Sequence, residues 1–106
     1  MSGRSVGLVV RLRYAAPGVL RLEVVGEVDG SDAPVLDEVL RRAVARRSIM
    51  LRVDLGGVTF FSCAGSRVLL NAHRDAAGTL VVTDASPAVR RVASLAGFSA
   101  TLGLPR

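Results

Sequence analysis

The sequence has no lysine and no tryptophan, and only three Phe and one Tyr among its 106 residues. So few aromatics cannot build a stacking platform for single-stranded nucleic acid. The net charge of +5 comes entirely from arginine. Apart from Arg41, Arg42, Arg46 and Arg47 these arginines are scattered, so they draw no basic footprint for a duplex. One cysteine, Cys63, excludes an internal disulfide framework. One histidine, His73, with no second His or Cys at ligand spacing, argues against a zinc site. No apolar run approaches the roughly 18–20 residues that span a bilayer. The N-terminal "MSGRSVGLVVRLR" has no proper apolar core or cleavage site for secretion, so a cytoplasmic protein is expected.

What is present is apolar surface in regular patterns. Half of the residues are hydrophobic, enough for one core in a single domain over residues 1–106. "VGLVVRLRY" has strand character and Pro17-Gly18 marks a turn. "VLRLEVVGEV" then alternates, with Leu20, Leu22 and Val24 on one face and Arg21 and Glu23 on the other. The two runs predict a hairpin. "GEVDGSDAP" is turn chemistry, with Ser31 or Asp32 as a cap and Pro34 in the first turn of a helix. Val35, Leu36, Val39, Leu40, Ala43 and Val44 form its apolar stripe. Asp37–Arg41 and Glu38–Arg42 support its outer face, which accounts for the arginine cluster as a solvated helix surface.

"IMLRVDL" predicts a strand with Ile49, Leu51, Val53 and Leu55 facing inward and Gly56-Gly57 interrupting it. "VTFF" leads to Ser62-Cys63-Ala64-Gly65, after which Val68, Leu69, Ala72 and Ala76 repeat at helical spacing until Gly78. "TLVVT" predicts a buried strand. Ser86 caps a third helix with Pro87 at its first position, a stripe of Val89, Val92, Ala93 and Ala96, and Gly97 as the stop. "SATLGL" is expected to add an edge strand. The order β-β-α-β-α-β-α-β implies an α/β fold: a small, mostly parallel sheet with an opening hairpin and helices packed mainly on one face.

The chain carries no phosphate loop, no dinucleotide fingerprint and no nucleophile elbow. Cys63 and His73 could pair as nucleophile and base, but ten helical residues separate them, roughly 15 Å of rise. Asp29, Asp32, Asp54 and Asp84 fall at turns and strand ends, where turn-forming and capping are their default roles. An enzyme is therefore not expected, and no cofactor or metal is implied.

Three segments together carry a resemblance: "GEVDGSDAPVLDEVL", "RVDLGGVTFFSCAGSRVLL" and "GTLVVTDASPAVRRVASLAGF". They resemble the STAS family, whose single-domain members are bacterial anti-sigma factor antagonists. The match runs from about residue 8 to residue 104. Its elements are a "G-x-hydrophobic-D" turn, here ending at Asp29, a "D-L" strand segment at Asp54, and a "D-S-[SA]-G-hydrophobic" start to the second helix. The resemblance implies a protein that binds an anti-sigma factor, often one of histidine-kinase-like ATPase fold, and so frees a sigma factor for transcription. In regulated members that partner phosphorylates the serine of "D-S-[SA]-G", and the phosphorylated form no longer binds. The contact surface it implies is Phe61, Ser62, Cys63, Ala64, Gly65, Ser66 and Arg67, with Asp29, Ser31 and Asp32 of the first turn.

This chain departs from the pattern at that helix start. Ser62 stands at the aspartate position, Cys63 at the phospho-acceptor position, and Ser66 at the hydrophobic position after Gly65. Three readings of Cys63 stay open. It is a small, half-buried filler of the helix start, or the phosphate moves back to Ser62, or the thiol itself senses oxidation. The alternative function is a STAS-type accessory subunit of a lipid or anion transporter, or a ligand-binding regulatory scaffold. An enzyme with Cys63 as nucleophile is the remaining reading, disfavoured because no base lies near it.

Overall fold

The computed structural model describes the backbone of residues 2–5 and all of residues 7–46 and 50–104. The hairpin forms as the alternation requires: β2 (Leu8–Ala16) turns at Pro17-Gly18 into β3 (Val19–Val28), with Gly18 at φ 75°. Helix α1 (Ala33–Ala45) follows, then β4 (Met50–Phe61), α2 (Cys63–Asp75), β5 (Leu80–Ala85) and α3 (Pro87–Ala96). A short β1 (Ser2–Ser5) precedes them and pairs antiparallel with β2, from Ser2 opposite Arg11 to Ser5 opposite Leu8. The sheet order is β1-β2-β3-β4-β5, antiparallel through β3 and parallel from β3 to β5.

All three helices contribute to one core. Leu8, Val10 and Leu12 of β2, Leu20, Leu22 and Val24 of β3, and Leu51, Val53 and Leu55 of β4 are buried on one sheet face. Leu36, Leu40, Leu69, Val89 and Ala93 meet them from the helices. Burying a Leu or Val side chain contributes about 1.5–3 kcal/mol, so this face dominates the stability of the domain. The opposite face carries Arg11, Arg13, Arg52 and Val25, all exposed. The surface ion pairs expected on α1 are present, Asp37–Arg41 at 3.0 Å and Glu38–Arg42 at 2.9 Å. Ser86 caps α3 by accepting from the Val89 amide, and Gly97 closes it in the left-handed region at φ 80°. Among the described residues no helix is long and apolar enough to cross a membrane.

Four expectations need correction. Residues 99–104 form no edge strand. The Leu102 amide donates to Phe98 and the Leu104 amide to Ser99, so the backbone closes on itself while Leu102 and Leu104 seal the core. Gly56-Gly57 does not interrupt β4, which runs unbroken to Phe61. The register instead slips between Glu23 and Val25 and again between Gly26 and Glu27, two bulges that the strand absorbs. Ala96 is exposed and lies outside the α3 stripe. Asp54 is not at a strand end: it sits within β4 and holds Arg21 at 2.7 Å. Ile49 lies outside the described residues.

Candidate functional site

The carboxyl ends of parallel strands are where an α/β sheet presents its loops. Here β3 ends at Val28 and β4 at Phe61, directly opposite each other. The Ser62 amide donates to the Val28 carbonyl at 2.8 Å. The Asp29–Asp32 turn and the start of α2, two segments more than thirty residues apart in sequence, therefore lie side by side.

The first turn is organised by Asp29 rather than by the residue that begins α1. Asp29 Oδ1 accepts from the Ser31 amide (2.9 Å), the Ser31 hydroxyl (2.7 Å) and the Asp32 amide (3.1 Å). Asp32 occupies the N-cap of α1 but makes no side-chain cap there. Its Oδ2 instead accepts from the Asp29 amide at 3.2 Å. The Ser31 hydroxyl, then the hydrogen bonds from Asp32, hold the Asp29 carboxyl below the usual aspartate range because they favour its charged form. The carboxylate stays ionised at neutral pH and keeps the turn closed.

At the start of α2, Ser62 is extended (φ −87°, ψ 169°) and its Oγ accepts from the Gly65 amide at 3.1 Å. That is an N-cap, with one unpaired amide of the first turn satisfied by the preceding side chain. Serine thus does at position 62 what an aspartate would do there. Ser66 is buried, and its hydroxyl donates to the Ser62 carbonyl at 3.0 Å. A polar residue is accommodated at that inward position because its one donor is satisfied within the helix. Gly65 is also buried: a Cβ there would lie 2.7 Å from Val28 Cγ1 and 3.2 Å from Phe61 Cε1.

These positions divide the predicted contact surface in two. Phe61, Gly65, Ser66 and Asp32 are buried and shape the surface from beneath. Ser31, Cys63 and Arg67 are exposed, and Asp29, Ser62 and Ala64 are half-buried. Cys63 is a free thiol on the first turn of α2 and no hydrogen bond is made by it among the described residues. The filler reading of Cys63 as half-buried does not hold. His73 lies near the other end of the same unbroken helix, which rules out a direct Cys63–His73 pair. Among the described residues no group of His, Cys, Asp and Glu is arranged to hold a metal ion.

One residue that the sequence pattern left unmarked is Phe60. It is 51% exposed, whereas Phe61 is 3% exposed. Alternation holds from Leu51 to Leu55 and then breaks, with Val58 and Phe61 buried and Thr59 and Phe60 exposed, so no simple period marks Phe60. Beside it β5 stops pairing at Leu55, so residues 56–61 overhang β5 while Gly57 to Phe61 stays paired with β3. An open groove of about 490 Å³ runs between that overhang and the first turn of α3, lined by Gly56–Thr59, Ser86–Ala88 and Arg91.

Comparison with other proteins agrees with this architecture. Residues 12–104 match the family model described as "Mlab, STAS domain". No curated protein matches the sequence. Among solved structures, an anti-sigma factor antagonist from Mycobacterium paratuberculosis is 26% identical, covers 96% of this chain and 88% of its own, and superposes with a TM-score of 0.84. The unphosphorylated anti-sigma factor antagonist SpoIIAA is 18% identical over 86% of this chain and 83% of its own, with a TM-score of 0.72. SpoIIAA of Bacillus in its phosphorylated form is 17% identical over 86% of each chain, with a TM-score of 0.67. The two SpoIIAA structures share the fold with this chain.

Proposed function

The chain belongs to the STAS domain family, and from that premise we propose that it is an anti-sigma factor antagonist, a non-catalytic module that binds an anti-sigma factor and so releases a sigma factor. The observation that carries this reading is the likeness to the mycobacterial antagonist over nearly the whole of both chains. The partner is an anti-sigma factor of histidine-kinase-like ATPase fold, as the family resemblance implies. Docking uses the accessible part of the site: the exposed Cys63 and Arg67 and the half-buried Ala64 on α2, with the exposed Ser31 and half-buried Asp29 beside them. Phe60 supplies an exposed apolar anchor next to this patch.

The test is retention of such an ATPase from extracts of the native cell, followed by affinity measurements on variants. Ala64→Asp is the informative change. Ala64 is half-buried in the first turn of α2, where a carboxylate is favoured by the helix dipole, so the fold is kept. The new charge sits within the docking patch and should weaken the complex at least about tenfold, about 1.4 kcal/mol. A variant that binds like the parent would show that the surface lies elsewhere.

Serine phosphorylation at position 63 is lost in this reading, because a thiol stands there. Ser62 is a poor substitute acceptor, since its oxygen is committed to the Gly65 amide. Incubation with the partner and ATP should leave the intact mass unchanged. A stoichiometric phosphate mapped to Ser62 would establish a shifted switch instead. A second reading rests on the family model, whose description names Mlab and no sigma system. It makes the chain an accessory subunit of a transporter, and retention of an ABC-type ATPase in place of a kinase-like one would select it.

A further inference from the structure

The sheet face turned away from the helices has no covering element among the described residues, and its side chains are sorted by charge. The pairing register sets them in cross-strand rows. Val25 lies between Val9 and Gly57. One step along the strands, Glu23 lies between Arg11 and Asp54, and Asp54 lies beside Asp84. The next row is Arg13, Arg21 and Arg52 on three adjacent strands, with the exposed Val81 beside Arg52 on β5. The last sets Val19 beside Met50. Down β3 and β4 the order is therefore apolar, acidic, basic, apolar.

Like charges directly opposite one another on neighbouring strands destabilise a sheet. Among the described residues only the middle arginine of this row is answered: Arg21 reaches Asp54 at 2.7 Å and Glu23 at 3.9 Å. Arg13 and Arg52 are exposed, and neither has an ion pair among the described residues. We propose that this face is where two copies of the chain meet, related by a two-fold axis running across the strands between the acidic and basic rows. The order of the rows selects that axis. A two-fold along the strands would lay the arginine row on itself. One across the strands reverses the order, so Arg52 of each copy faces Asp54 of the other and Arg21 faces Glu23. Val25 then meets Val19, and Met50 meets Gly57, which has no side chain to obstruct it. On β2 the same operation sets Arg13 against Arg11 at the rim, where solvent screens the repulsion. Two sheets pack this way about 10 Å apart with strands aligned within about 30°.

The size of the patch sets the strength. Rows about 6.7 Å apart and strands about 4.8 Å apart give a face of about 400 Å² per copy, half of the ~800 Å² per partner of a standard interface. A patch of that size belongs with the small, weak and reversible interfaces. The four rows do not include the start of α2, so self-association and docking are tested at different residues.

Sedimentation equilibrium of the intact chain from about 10 µM to about 1 mM tests this. The weight-average mass should rise from 11.1 kDa toward twice that value. Arg52→Glu alone and Asp54→Arg alone should each hold the chain at the monomer mass. An equimolar mixture of the two should associate again, because each cross-copy pair then joins opposite signs. If Asp54→Arg does not fold, having lost its bonds to Arg21 and to the Gly56 amide, Val25→Arg replaces it. That variant sets a charge against Val19 and should remain monomeric. A parent that stays at monomer mass at the highest concentration overturns the proposal. So does association that persists in both Arg52→Glu and Val25→Arg, or a folded mixture that does not associate. Association of the parent only with an acidic protein would assign the face to a different partner and overturn it equally.

Discussion

Gly26→Ala should destabilise the domain by about 3 kcal/mol or more, a large share of the 5–15 kcal/mol that holds a domain of this size folded. Gly26 sits at φ 105°, a conformation that costs an alanine about 1–3 kcal/mol on its own. A Cβ at Gly26 would also be driven into the Gly7 carbonyl oxygen. The obstacle is backbone, so no side chain can rotate out of the way. That carbonyl accepts the Glu27 amide at 2.8 Å, and moving it would break the bond. Urea unfolding should show the midpoint lowered by about 1–3 M. Gly30 is the control. A Cβ added there would have nothing within 4 Å, and its φ is not positive, so Gly30→Ala should stay within about 0.5 kcal/mol. Equal effects at the two positions would remove the close approach as the reason for Gly26.

This result bears on the family pattern directly. Gly26, Glu27, Val28 and Asp29 are the "G-x-hydrophobic-D" of the resemblance, and each specified position has a separate physical duty. Gly26 lets β3 pass beneath the Gly7 carbonyl. Val28 is fully buried against Gly65. Asp29 folds the turn by accepting three hydrogen bonds. The motif describes how two strand ends are brought level so that a loop and a helix start can share one surface.

Much of this was legible because the core obeys simple periods. Leu20, Leu22 and Val24 alternate, and Leu36, Val39, Leu40 and Ala43 repeat at helical spacing, so their burial could be read directly. Ser62 and Gly65 stood out as a turn, and Ser86 and Gly97 as helix limits. What escaped had no local signal. Ser2–Ser5 has no apolar alternation; it is a strand because it pairs along β2, whose edge would otherwise present unpaired backbone groups. Residues 99–104 contain two leucines at strand spacing, yet both serve a turn that closes over the core. Ser31 and Asp32 are both competent caps by residue type, yet neither side chain caps α1: Asp32 holds the N-cap position without a side-chain cap, and Asp29 accepts the bonds of the turn. Only the bond geometry shows that Asp29 organises the turn. The row of arginines on the open face depends on cross-strand register, which bulges shift and which no single strand reveals.

Gly65→Ala should cost up to about 2 kcal/mol net and should weaken partner binding as well. The sign is not set by helix propensity, since alanine is favoured over glycine within a helix by about 1 kcal/mol. It is set by the space available. The added Cβ would meet Val28 Cγ1 at 2.7 Å and Phe61 Cε1 at 3.2 Å. Both neighbours are buried, so neither can swing into solvent, and overpacking of this kind costs about 1–3 kcal/mol. Relief of the clash requires α2 to lift away from the ends of β3 and β4. That movement would displace Cys63, Ala64 and Arg67 together and strain the Ser62 cap. Cys63→Ser should by contrast leave stability within about 0.5 kcal/mol, because the thiol is exposed and bonds to nothing among the described residues. The two variants separate what the helix start needs for folding from what it offers to a partner. Position 65 is fixed by packing, whereas the side chain at position 63 makes no hydrogen bond or ion pair among the described residues. Thermal or urea denaturation of both variants, with partner affinity measured beside it, decides the matter. A Gly65→Ala protein more stable than its parent would mean that α2 has room to spare above Val28 and Phe61.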